Sequence, residues 1–221
     1  MDLDLSLAEL AAERPAAARL LERLGLDYCC GGRRSLGEAC RERGLDPATD
    51  AVFLEREVEP VGVESRNWAS APLADLCAHI VEEHHRRLRS DLPRLSELAE
   101  RAASVHGEVR PELRELQEEF ERLRSELEQH IDEEERELFP VLVAGGALER
   151  ALLERLLDDH DGTGTRLRRL RELAGGYAGE GALCNTHRSL LQGLHGLELD
   201  LYQHVHEENN ILFPRALAAA P

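Results

Sequence analysis

The sequence predicts an all-α protein, with a four-helix up-down bundle preceded by a small helical N-terminal domain. Three observations predict this fold class. Leu, Ala and Glu dominate the 221 residues whereas aromatic residues make up only 4%, a composition that favours helix. Apolar residues recur at spacings of three and four along four long segments. Glycine and proline clusters separate those segments, as expected where helices end.

The N-terminal part, residues 1–58, is predicted to form short helices separated by turns. Two Ser-x-x-Glu sequences, beginning at Ser6 and Ser35, fit capping boxes in which serine and glutamate satisfy the first free amides of a helix. Between them lies Asp-Tyr-Cys-Cys-Gly-Gly at 27–32, where two adjacent glycines predict a turn. We expect this part to be a separate small domain that carries a Cys-Cys pair.

The segment 59–71 contains proline, glycine and serine without a sustained period, and is expected to be a linker. The bundle is expected to occupy 72–221. Its four helices are predicted at about 72–104, 111–143, 147–174 and 184–218. The connections between them are short, so sequential helices should run antiparallel.

The two halves of the bundle repeat each other. Residues 130–140 read HIDEEERELFP and residues 204–214 read HVHEENNILFP. Each copy has a histidine, a glutamate four residues later, and then Leu-Phe-Pro. A further histidine precedes each copy at nearly the same distance, His85 before the first and His160 before the second. Each half is therefore predicted to be a helical hairpin with one His on its first helix and His-x-x-x-Glu on its second.

This repeat predicts a metal centre with two ions. Residues four apart lie on one helix face, so His and Glu can bind one ion, and a carboxylate can bridge two ions. Imidazole with carboxylate suits iron, and an open position suits dioxygen or nitric oxide, whereas zinc sites are more often tetrahedral and rich in cysteine. A single buried His is commonly an ordinary core residue, and an acidic run is commonly solvated. Six matching positions outweigh that interpretation, since an unpaired buried Glu would be very costly. The predicted ligands of two non-haem iron ions, joined by an oxo or hydroxo bridge, are His85, His130, Glu134, His160, His204 and Glu208.

The first ligand is ambiguous because His84 and His85 are adjacent. His85 falls on an apolar stripe with Leu88 and Leu92, and the repeat spacing prefers it. His84 extends a second stripe through Cys77, so it stays an alternative. The histidines without a repeat partner are expected at the surface or around the site: His79, His106, His187, His195 and His206. Two glutamates beside the ligands are expected to face solvent: Glu133 and Glu207.

Charge and cysteine content exclude several classes of function. The formal net charge of −17 disfavours nucleic acids and anionic membrane surfaces as partners. No basic segment followed by an apolar run begins the sequence, and no stretch is long enough to span a membrane. Five cysteines without framework spacing indicate a reducing compartment, so we expect a cytoplasmic protein. The sequence is also compatible with a homodimer.

Several motifs together resemble one family over nearly the whole chain. They are DYCCGG at 27–32, APLA at 71–74, His85 with Leu-Pro following at 92–93, and HVHEENNILFPRAL at 204–217. With the two His-x-x-x-Glu segments and His160-Asp161, these resemble the iron-sulfur cluster repair di-iron proteins, the RIC family, whose bundle is a hemerythrin-like domain. The resemblance carries the family's six iron ligands to the six residues named above. It departs at His84, where relatives often have tyrosine.

The resemblance implies repair of iron-sulfur clusters damaged by nitric oxide or peroxide, with iron supplied to iron-sulfur proteins as recipients. Cys29 and Cys30 would then receive iron, contact a recipient or change redox state. The alternative for this pair is a plain loop with exposed thiols, and both thiols are expected to be exposed. Other open functions are an oxygen or nitric oxide binding or sensing protein, and a nitric oxide reductase. The reductase would need an external electron donor, because no flavin or nicotinamide motif is present. We favour a metal-donor protein over an enzyme.

Overall fold

A computed structural model describes residues 2–13, 17–18, 20–21, 24–29, 31–46, 67–146 and 148–219. Within these residues the regular secondary structure is helical, and the only strand-like feature is an isolated bridge between Ser6 and Ser35. The all-α prediction is therefore confirmed. The chain divides into two compact units, Met1–Leu76 with Tyr202–Ala220, and Cys77–Leu201 with Pro221. No described helix is long and apolar enough to cross a membrane.

The smaller unit includes the short N-terminal helices α1 (Leu7–Glu13) and α2 (Leu36–Glu42). Both capping boxes form. The backbone N–H groups of Glu9 and Glu38 each donate to the serine Oγ three residues earlier, at 3.2 Å. The same glutamates accept from the serine backbone N–H groups at 3.1 Å, and these hydrogen bonds lower the carboxyl pKa values of both. The two Ser-x-x-Glu motifs therefore determine where these helices begin.

The remaining helices follow the predicted order, with boundaries within a few residues of those expected. They are α3 (Leu73–His79), a π-helical segment (Ile80–His85), α4 (Arg86–His106), α5 (Glu112–Glu133), a π-helical segment (Glu134–Leu138), α6 (Phe139–Val143), α7 (Arg150–Leu173), α8 (Asn185–Glu207), a π-helical segment (Glu208–Leu212) and α9 (Phe213–Ala219). Of the predicted linker, residues 59–66 lie outside the described part of the chain and 67–71 form a turn.

The core of the larger unit is built from the leucine stripes of its helices. Helix α5 packs against both α4 and α7. The stripe residues are fully or almost fully buried: Leu88, Leu92, Leu95, Leu116, Phe120, Leu123, Leu156, Leu167, Leu190 and Leu194. Burying each such side chain contributes about 1.5–3 kcal/mol, so this core holds the helices independently of the polar residues among them. Helix α8 approaches α4 closely at Gly193, where an added Cβ would lie 2.3 Å from Leu95 Cδ2.

Candidate metal centre

Four of the six predicted ligands lie in the larger unit, where their side chains converge. His85 Nε2 lies 3.4 Å from Glu134 Oε2, and His130 Nε2 lies 3.6 Å from the same oxygen. The Nε2 atoms of His130 and His160 are 2.9 Å apart. All four side chains are buried, and Glu134 is 0% exposed. One ligand atom from each of His130, Glu134 and His160 lies within 4.8 Å of the other two, close enough to share an ion.

These residues fit a metal ion because they leave polar atoms that a cation would satisfy. Neither carboxylate oxygen of Glu134 has a hydrogen-bond partner in the described part of the chain, although the side chain is fully buried. An ionised carboxylate buried without donors or a cation is strongly disfavoured. Two Nε2 atoms that face each other, as in His130 and His160, can share only one proton. Imidazole nitrogen and carboxylate oxygen form a ligand set that suits iron.

Two further carboxylates lie beside the histidine rings of this set, and one of them, Glu135, orients its ring. Glu135 Oε1 lies 2.9 Å from His85 Nδ1, and because a carboxylate only accepts, Nδ1 must carry the proton. The Nε2 lone pair of His85 is thereby directed towards Glu134. Burial of Glu135 opposes its ionisation most strongly, but hydrogen bonds from His85 and Arg89 outweigh burial and lower its carboxyl pKa. On the other side, Asp159 Oδ2 approaches His130 Nδ1 at 3.5 Å.

The other two predicted ligands lie in the smaller unit, at the end of α8 and the start of the π-helical segment that follows it. His204 Nε2 lies 2.9 Å from Glu208 Oε1. Both side chains are buried, at 1% and 0% exposed. The spacing of four residues places them on one helix face, as the sequence predicts.

The opposite face of this helix segment holds the cysteine loop of the smaller unit. Tyr28 is fully buried, and its ring centroid lies 5.2 Å from that of His206 and 6.2 Å from that of Tyr202. Asn210 Nδ2 donates to the carbonyl oxygen of Cys29 at 3.3 Å, and lies 3.1 Å from His206 Nδ1. Burial lowers the pKa of His206 to about 4, so this ring is neutral and can accept the hydrogen bond.

The loop itself is organised by the carboxylate of Asp27. Its Oδ1 accepts hydrogen bonds from the backbone N–H of Cys29 at 3.2 Å and of Gly31 at 3.1 Å. The thiol of Cys29 also donates to this oxygen, at 3.2 Å. Position 32 requires glycine, since an added Cβ at Gly32 would lie 2.3 Å from the Tyr28 carbonyl oxygen. Cys29 is only 5% exposed, so the expectation of an exposed thiol is wrong for this residue, and Cys30 lies outside the described residues.

Three of the four predicted ligand helices widen into a π-helical turn at the ligand. The turns cover Ile80–His85, Glu134–Leu138 and Glu208–Leu212. The last two are each followed by Phe-Pro, and a proline inside a helix lacks the N–H that would bond four residues back. Such turns are frequent at functional sites. The sequence predicted continuous helices here, and the Phe-Pro pairs are the only signal that could have indicated the wider turns.

The structure places His84 and His85 in different surroundings. His85 faces Glu134, whereas His84 Nδ1 lies 3.2 Å from Asp200 Oδ1 in a buried pair. Burial also corrects several expectations about neighbouring residues. Of the histidines expected at the surface or around the site, His187 and His206 are buried. Glu133 and Glu207, expected to face solvent, are half-buried, and Glu133 pairs with Arg155.

Comparison with known families assigns this arrangement to a class. Residues 78–216 match the hemerythrin HHE cation binding domain, a span that includes all six predicted ligands. Residues 3–55 match ScdA_N, a domain of unknown function that includes the cysteine loop. The fold and the buried His and Glu groups of both units thus define a hemerythrin-type helical protein, and these groups are consistent with a non-haem di-iron centre.

Curated relatives match almost the whole chain. The chain is 37% identical over 218 residues to the iron-sulfur cluster repair protein YtfE of Pectobacterium carotovorum, with 97% of each chain covered. It is 38% identical to the protein of the same name from Edwardsiella ictaluri, again with 97% of each chain covered. For the protein of that name from Yersinia pseudotuberculosis the identity is 36%, with 96% of each chain covered. The chain belongs to the YtfE family of iron-sulfur cluster repair proteins.

Proposed function

We propose that His85, His130, Glu134, His160, His204 and Glu208 together hold two iron ions in one centre. Neither unit carries a complete ligand set alone: the larger has three imidazoles and one carboxylate, and the smaller has one of each. Helix α8 carries the chain from one unit into the other. The observation that carries this proposal is Glu134, a fully buried carboxylate to which no described residue donates a hydrogen bond, within 3.6 Å of two imidazole nitrogens.

The proposed ligands would retain iron in the protein and still allow it to be released to another protein. Glu135 orients the His85 ring before a metal arrives, and Asp159 lies beside His130. Carboxylate and imidazole ligands bind iron less tightly than thiolates would, and protons compete with the metal for both kinds of ligand. Bound iron would supply a Lewis-acidic, redox-active centre with room for a small ligand.

The biological role that fits these features is repair of damaged iron-sulfur clusters by donation of iron. The named relatives are iron-sulfur cluster repair proteins, and the recipients here would be iron-sulfur proteins of the cytoplasm. Cys29 and Cys30 would take part in the transfer, because thiolates are the ligands that an acceptor cluster uses. Since Cys29 is buried and hydrogen-bonded to Asp27, transfer through it requires the loop to open.

Two measurements on the full-length protein test this role. Metal analysis should find about two irons per chain, and incubation with a cluster-damaged dehydratase should restore its activity while iron leaves the donor. A C29A/C30A variant should keep its iron and lose most of the reactivation. Full reactivation by this variant would remove the cysteines from the transfer. Steady consumption of nitric oxide with a reductase, without loss of iron, would favour an enzyme instead.

A further inference from the structure

A second cysteine and a histidine form a pair in the larger unit, far in sequence from the proposed iron ligands. Cys184 Sγ lies 3.2 Å from His106 Nε2. Cys184 directly precedes α8, and its carbonyl oxygen accepts the first helical hydrogen bond, from Arg188 N–H at 3.0 Å. The backbone N–H of His187 points to the same sulfur at 3.5 Å. The thiol therefore occupies the N-cap position of a helix of 23 residues.

The two helix ends at this pair stabilise a separation of charge across it. Helix α8 presents the positive end of its dipole to the sulfur, and α4 ends at His106 with the negative end of its dipole. A thiolate beside an imidazolium is the arrangement that activates cysteine as a nucleophile. Cys184 is also half-buried, whereas Cys29, Cys40 and Cys77 are buried. Cys184 is therefore more accessible than these three cysteines.

A cavity of about 400 Å³ adjoins the pair through His187. The imidazole of His187 is only 5% exposed and lines this cavity. Its Nδ1 accepts the N–H of Leu183 at 3.2 Å, so the proton of the neutral ring is on Nε2. Burial, with the nearby charge of Arg110, lowers the pKa of His187 and keeps the ring neutral. In the described part of the chain the Nε2–H of His187 has no hydrogen-bond acceptor. It can therefore donate a hydrogen bond to an oxygen atom of a molecule in the cavity.

We propose that Cys184 is a peroxide-reactive thiol, that His106 is its proton partner, and that the cavity beside His187 receives the hydroperoxide. Apolar lining residues, among them Leu113, Leu173 and Leu191, suit the organic arm of an alkyl hydroperoxide as well as hydrogen peroxide itself. No iron ligand takes part, so this reactivity is separate from the proposed cluster repair.

The reaction balances with these groups alone. His106 takes the thiol proton, and the thiolate of Cys184 attacks one peroxide oxygen. The S–O bond forms as the O–O bond breaks, and the leaving hydroxide or alkoxide takes the proton back from His106. The sulfur is oxidised by two electrons to sulfenic acid, which keeps one peroxide oxygen, and the other oxygen leaves as water or as the alcohol.

The test treats the full-length protein at neutral pH with hydrogen peroxide or cumene hydroperoxide, and traps sulfenic acid with dimedone for peptide mass spectrometry. We expect label on Cys184 but not on Cys40 or Cys77, and no label there in C184A. H106Q should slow labelling about 100-fold, within the range of general acid–base catalysis. H195Q is the matched control, since His195 is exposed and stacks on Tyr177 rather than contacting a thiol.

Two further comparisons do not depend on how well H106Q folds. Native Cys184 should react at least about tenfold faster than the same cysteine in guanidinium-unfolded protein, because only the native chain holds the pair. A178F, which narrows the cavity, should slow the reaction with cumene hydroperoxide but not with hydrogen peroxide. Absence of label on Cys184, or equal rates in native and unfolded protein, would overturn the proposal. Equal slowing of both peroxides by A178F would overturn the assignment of the cavity.

Discussion

The two copies of the repeated segment, 130–140 and 204–214, share one face of the helix and differ on the other. Both place His and Glu four residues apart, both widen into a π-helical turn from the glutamate, and both continue with Leu-Phe-Pro. On the other face the first copy has Asp132 and Arg136, an exposed ion pair at 3.2 Å. The corresponding residues of the second copy are His206 and Asn210, which contact the cysteine loop.

This difference shows how one helical motif carries two functions. A shift of two residues turns about 200° around a helix, so His204 and His206 project to nearly opposite sides. One side is constrained by the ligands, and the other is free to vary between the copies. In the second copy the free side joins the cysteine loop to the helix that carries His204 and Glu208, which gives the loop a fixed position relative to these two residues.

The largest expected effect tests whether the shared faces are equivalent. E134A and E208A should each lose most of the iron of both sites, because a carboxylate has two oxygens and can bridge the two ions. The helical circular dichroism should persist, since the leucine core does not depend on either residue. E137A is the control, because Glu137 is exposed. A variant of either glutamate that retained two irons would show that the copies are not equivalent.

A smaller effect is expected at the next position of each copy. Glu135 fixes the ring of His85, so E135Q should lower iron affinity about 10- to 100-fold, as measured by competition with a chelator. The corresponding residue of the second copy is Asn209, and N209A should lower affinity much less. Equal losses in the two variants would mean that the hydrogen bond between Glu135 and His85 does not set the affinity.

The sequence predicted the helices that carry the shared face, but not the contacts of the other face. The helices followed from their leucine stripes, and the choice of His85 over His84 followed from the spacing of the repeat. The roles of Glu135 and Asp159 could not be predicted, because each acts on a histidine of another helix. The burial of Cys29 was missed because two glycines suggest an exposed turn, whereas Tyr28 carries the loop into the core.

On the helix face that differs between the copies, Asn210 holds the cysteine loop. Asn210 has two N–H donors but three acceptors within 3.5 Å, the carbonyl oxygens of Tyr28 and Cys29 and the Nδ1 of His206. N210A should therefore cost only about 1 kcal/mol of stability, the net value of an ordinary hydrogen bond. It should raise the alkylation rate of Cys29 severalfold and leave iron content unchanged. R136A, at the corresponding exposed position, should change none of these. Iron loss in N210A would show that the two helix faces are coupled.

The smallest effect lies further along the same helices, where the copies have diverged completely. Glu119 corresponds to Gly193, and it pairs with Arg166 at 2.8 Å and Arg122 at 3.1 Å. Burial of Glu119 opposes its ionisation most strongly, but the two arginines outweigh burial and lower its pKa.

The lowered pKa of Glu119 makes its contribution to stability depend on pH. Near the ordinary pKa of 4.5 the folded state binds fewer protons than the unfolded state. The contribution is therefore present above that pH, and it is lost as the pH falls through the folded pKa. E119Q should therefore destabilise the protein at pH 7 by no more than about 1 kcal/mol, because Arg166 keeps its bonds to Glu126. Urea midpoints of wild type and E119Q should converge as the pH falls below the folded pKa of Glu119. A gap that stayed constant with pH would assign the effect to packing around residue 119 rather than to its charge.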